Sequence, residues 1–165
     1  MNRPLRISVL ALVASLAIAG TTLAVHAPLV GPVLNDIGRG TLATRVHYNR
    51  GGIKVETKRP VDIVVQELTF AKATATTPGA SAGWHSHPGP VFVVIRSGTL
   101  SVWDKHCVKK TYSKGQSFFE AGPKSSLLVK NESTTEDATV YGTFIVPVGT
   151  TPLRIGKAHR CGVTE

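Results

Sequence analysis

The residues best suited to chemistry in this sequence are two histidines set one residue apart, His85-Ser86-His87, directly before Pro88 and the apolar run Val91-Phe92-Val93-Val94-Ile95. Along an extended chain side chains alternate between faces, so residues i and i+2 point the same way and the two rings present nitrogens to one point. Two imidazoles so placed are part of a transition-metal site, which needs at least a third nitrogen, sulfur or carboxylate donor for tight retention. Trp84, by the same alternation, belongs to the opposite face and to packing. Cys107 and Cys161 lack Cys-x-x-Cys spacing and read as a disulfide closing a long loop. A glycine-rich phosphate loop, a Gly-x-Ser-x-Gly elbow and coiled-coil heptads are all missing from the sequence.

The compartment follows from the first residues. Arg3 and Arg6 precede an uncharged stretch from Ile7 to Val25, and the small residues Thr22 and Ala24 fit an export cleavage site. Residues 1–24 therefore read as a secretory signal, with an uncleaved membrane anchor over residues 7–25 as the alternative, because that stretch is just long enough to span a bilayer. Both predict a secreted, periplasmic or cell-envelope protein. The 165-residue chain has a formal charge of +9, and loss of Arg3 and Arg6 leaves +7. That excess suits an anionic envelope surface. Nucleic acid is not an expected partner, since the Lys and Arg residues are dispersed and no aromatic-studded basic stripe accompanies them.

The elements that must position the histidines are strands. Residues 25–44 mix apolar residues with Gly and Pro without a clean period and read as a linker or tethering arm. From residue 45 to 165 the pattern is that of one β-domain. Val46 to Val55 around Asn49-Arg50-Gly51-Gly52 predicts an opening hairpin, and Val61 to Phe70 a β-branched strand. Val91 to Arg96 and Thr99 to Asp104, joined by Ser97-Gly98, predict a second hairpin. A basic, Cys-containing loop follows, then short strands at Ser117 to Glu120, Ser125 to Lys130 and Ala138 to Val146. Phe92, Phe118, Phe119 and Phe144 are the expected aromatic core. The sum is an all-β sandwich or barrel.

The spacing Gly79, five residues, His85-x-His87, three residues, then Val91 with six residues to Gly98, resembles the first motif of the cupin superfamily. Gly115 through Asn131 resembles the second. The resemblance covers roughly residues 55 to 148 and implies a jelly-roll barrel of two antiparallel sheets, a lumen that holds a ligand, often with a divalent metal, and pairing into homodimers. It assigns the metal-binding histidines to His85 and His87. The carboxylate position falls on Val91, however, and the last histidine position on Leu127, neither of which coordinates. A third donor must come from elsewhere, with Gln66, Glu67, Glu120, His47 and His106 as candidates.

Three functional readings remain open. The first is an exported cupin-type protein that binds a small molecule in a lumen lined by His85, His87, Val91, Val93 and Leu127, with a weak metal site at the histidines. The second is a metal-dependent enzyme, dioxygenase- or isomerase-like, that uses an unconventional third ligand. The third is an envelope-associated scaffold without catalysis.

Overall fold

The computed structural model describes residues 30–158 and 161–163, so the signal or anchor expected near the start lies outside the described residues. Among the described residues no helix is long and apolar enough to cross a membrane. Two five-stranded antiparallel sheets form the body. The first runs β1 (Val33–Leu42), β4 (Val61–Phe70), β11 (Ala138–Pro147), β6 (Val91–Ser97), β9 (Ser117–Glu120) in spatial order. The second runs β12 (Ile155–Gly156), β5 (Ser81–Ser86), β10 (Leu127–Lys130), β7 (Thr99–Asp104), β8 (Lys109–Ser113). The expected opening hairpin, β2 (His47–Arg50) with β3 (Ile53–Glu56), stands as a separate two-stranded ribbon.

Alternation drives the assembly. Val91, Val93 and Ile95 of β6 face inward and are buried, while Phe92, Val94 and Arg96 face out. β11 alternates in the same way, sending Val140, Phe144 and Val146 into the interior, where they meet Val64, Leu100 and Val129. β5 is buried on both faces. Its outer face carries Trp84, which packs with Trp103 and Leu128 beneath Cys161 and Val163 of the C-terminal tail. The Cys107–Cys161 disulfide, with a Cα–Cα distance of 5.5 Å, pins that tail in place.

Four expectations are corrected. Residues 33–42 are not a linker but the edge strand β1, paired with β4 from Val33↔Thr69 to Leu42↔Val61. Gly and Pro obscured a strand that takes its order from its neighbour more than from its own pattern. Ser97-Gly98 does not close a hairpin: β6 pairs with β11 and β9, and β7 with β10 and β8, so the chain changes sheets there. Gly98 has φ of +72°, and a Cβ on it would collide with the Asp137 carbonyl and Ala138, so this corner demands glycine. The basic segment around Lys109 is strand β8 rather than loop. Phe92 and Phe119 are half exposed, at 51% and 54%, and stack on each other at 5.1 Å on the outer face instead of joining the core.

Asn131 closes the frame. Its side chain donates to the Phe70 and Glu136 carbonyls and accepts from Ser133 N, and its carbonyl occupies the space a Cβ on Gly79 would need. The disulfide closes a loop of 54 residues, which loop entropy values at about 4 kcal/mol. Replacing both cysteines by serine should therefore lower the free energy of urea unfolding by up to about that amount. An unchanged midpoint would mean that the tail holds without the crosslink.

Candidate metal centre

The histidine pair sits at the end of β5 and just beyond it. Opposite β10, Leu128 pairs with Trp84 and Lys130 with Ser81, so β5 carries one extra residue, a bulge centred on Gly83 with φ of +64°. Bulges re-aim side chains next to functional sites. Here the bulge lets the Gly83 carbonyl meet His85 Nδ1 at 2.7 Å. His87 Nδ1 lies 2.7 Å from the Leu153 carbonyl, contributed by the segment before β12. A carbonyl only accepts, so in each ring Nδ1 carries the proton and Nε2 keeps a lone pair.

Both lone pairs are aimed at one carboxylate. Glu120 Oε2 lies 2.7 Å from His87 Nε2 and 3.7 Å from His85 Nε2, and one donor atom from each residue falls within a 4.8 Å cluster. All three side chains are buried, with exposures of 3%, 6% and 5% for His85, His87 and Glu120. The rings meet edge to face at 4.8 Å, and Phe144 lies 5.2 Å from His87. Burial pushes the His85 imidazole below its usual range, against the opposing pull of the Glu120 charge, and so favours the neutral ring. Glu120 Oε2 is buried and accepts no hydrogen bond. A single proton on His87 Nε2 would satisfy one contact and leave the His85 lone pair facing the same oxygen. A divalent cation satisfies all three donors at once.

Of the third-donor candidates the fold thus brings only Glu120 to the pair. Glu120 is the register partner of Val91 across β6 and β9, so its carboxylate emerges beside the position that lacks one. Strand alternation signals this in part, since Phe118 packs on the core and Glu120, two residues on, shares its face. Which strand lies next to β6 is a tertiary fact. Gln66 lines the cavity but donates to Asp36 Oδ1 at 2.6 Å. Glu67 faces outward and pairs with Arg96 at 2.7 Å. His47 is exposed on the ribbon, and His106 is exposed in the turn after β7. Val91 and Val93 line the cavity, whereas Leu127, expected in the lining, packs in the core as the register partner of His85. Tyr141 faces Arg96 on the outer side, 5.7 Å from its guanidinium.

The histidines and Glu120 look into a cavity of about 680 Å³ enclosed between the two sheets. Two antiparallel five-stranded sheets around such a lumen, between which the chain passes repeatedly, with the histidine pair at the end of one inner strand and a glycine corner at Gly98, decide the architecture. It is a jelly-roll barrel of two antiparallel sheets. No family model matches the chain, and no curated protein matches its sequence. Among solved structures it is similar to a cupin domain from Bordetella pertussis Tohama I, at 17% identity and a TM-score of 0.46 over 72% of this chain and 96% of that one. It is also similar to a conserved protein with a double-stranded β-helix domain from Klebsiella pneumoniae, at 14% and 0.46 over 75% and 85%. A third likeness is to a DMSP lyase from Ruegeria pomeroyi DSS-3, at 9% and 0.46 over 58% of this chain and 43% of the lyase. These likenesses concern the fold.

In this barrel the buried neutral His85 gives a pH signature. Its folded-state affinity for protons lies below that of the unfolded chain, so below about pH 6.5 the unfolded state binds more protons and stability falls. In chelator, the thermal midpoint should be level above pH 7 and drop on acidification, and His85→Gln should flatten the drop. A wild-type profile no steeper than the variant's would contradict the assignment.

Proposed function

We propose that this chain is a metal-dependent cupin that holds one divalent transition metal at His85 Nε2, His87 Nε2 and Glu120 Oε2 and takes up a small organic molecule in the lumen. The observation that supports this reading is the convergence of three buried acceptor atoms on one point, each ring held in the tautomer a metal needs by a backbone carbonyl. A passive scaffold gives no account of three polar side chains buried together on one point of a largely apolar cavity wall, where unpaired acceptors are costly.

Three protein donors leave coordination positions open, the mark of sites that act on an incoming ligand rather than of closed structural sites. Two imidazoles and one carboxylate also suit iron(II) in oxygen-using enzymes. A metal bound there supplies a Lewis acid that polarises a ligand oxygen. The protein's own part is to hold the rings through Gly83 and Leu153, to keep Glu120 on the inner face, and to exclude water with Val91, Val93 and Phe144. The Cys107–Cys161 disulfide supports the exported reading, because such bonds persist in oxidising compartments.

The register suggests a test that reads metal directly. Because Val91 and Glu120 stand opposite each other, Glu120→Val should weaken zinc or manganese binding by about 100-fold or more, and Val91→Glu added to it should restore much of the loss. Elemental analysis and competition titration of protein prepared without chelator measure both, with about one equivalent expected in wild type. Wild type that takes up less than about 0.1 equivalent after reconstitution would sink the proposal.

A further inference from the structure

The segment from Thr151 to Gly156 does more than cap the barrel. Its Leu153 carbonyl accepts from His87, and its Ile155 and Gly156 pair with Ser86 and His85. Lys157 N donates to the Trp84 carbonyl at 2.8 Å. Between these ties stands Arg154, which lines the cavity, and its Nε donates to the Ala82 carbonyl at 2.7 Å. That bond ties the guanidinium to β5, the strand that carries His85, and among the described residues its two terminal amino groups make no hydrogen bond. The other charged side chains of the lining are engaged: Arg39 with Asp62, Asp36 with Gln66, and Glu120 with the histidines. Among the described residues no acidic side chain pairs with Arg154. The exposed members of the lining include Gly31 and Leu34 near the start of β1 and Pro152 and Arg154 of this segment, and they mark the opening. Deeper in, the walls are Val64, Phe70, Val93, Leu100, Val129 and Phe144.

Resting on the reading of the lumen as a ligand site, we propose that its ligand is an organic acid with an apolar body, the carboxylate bound by Arg154 at the mouth beside the metal donors and the body lying along the apolar wall. A guanidinium is the side chain best matched to a carboxylate, since its planar fork offers two parallel N–H donors. A cavity of about 680 Å³ has room for a molecule well beyond the size of acetate.

Calorimetric titration of the full chain with octanoate and with 3-phenylpropanoate, each against its primary amide, in chelator and again with zinc, tests this and separates chain-like from aromatic acids. The acid should bind at least about tenfold tighter than the amide, and Arg154→Gln should remove that preference by weakening the acid far more than the amide. Arg154→Lys, which keeps the charge and loses the fork, should fall between, and circular dichroism checks that both variants fold. Equal binding of acid and amide, an acid preference untouched in Arg154→Gln, or no binding of any probe would overturn the inference. The metal reading fails separately: an Arg154-dependent acid preference in chelator with no metal uptake would keep this inference and reject that one. An acid preference that needs zinc and ignores Arg154 would do the reverse.

Discussion

A carboxylate oxygen 2.7 and 3.7 Å from two imidazole nitrogens, buried in a largely apolar barrel wall, is an arrangement that burial makes expensive unless a cation is shared among them. Everything around the site holds that arrangement against its cost. The Gly83 bulge spends one residue of strand pairing to turn a carbonyl toward His85. The Leu153 carbonyl, arriving from 66 residues away in sequence, does the same for His87. The β6–β9 ladder sets Glu120 on the inner face at the right height. Each tie is a ring nitrogen donating to a backbone carbonyl or a strand register, which is stiffer than a contact between two side chains with free rotamers.

Compared with the cupin motif that the sequence resembles, the carboxylate stands one strand sideways, on Glu120 opposite Val91. A metal coordinates atoms at a point in space and takes no account of the strand that supplies them. Val91 and Glu120, as register partners on one face, are therefore interchangeable in principle as sources of the third donor. The vacated position is filled by a small apolar side chain that packs with Val93 and Phe144. No such compensation exists at Leu127, which faces His85 across β10 and β5 and belongs to the core.

The C-terminal tail links stability to the site. The disulfide fastens Cys161 over Trp84 and Trp103 on the outer face of β5. On the way there the chain supplies Leu153 and Arg154 to the inner face. One strand thus carries packing on one side and the candidate chemistry on the other, as alternation requires.

The sequence by itself determined the fold class, the histidine pair, the disulfide partners and most strand positions, because alternation, turn residues and cysteine count are local properties. The glycine spacing also carried real information, since Gly79 and Gly98 lie where neighbouring backbone leaves no room for a Cβ. What it could not reveal depends on which strands become neighbours. β1 gains its order from β4, the Ser97-Gly98 corner joins two sheets instead of closing a hairpin, and Phe92 and Phe119 find each other on the outside. Glu120 is the decisive instance: alternation gives its face, but only the pairing of β9 with β6 brings it to the histidines, and pairing between strands is a long-range outcome of packing that no local pattern encodes.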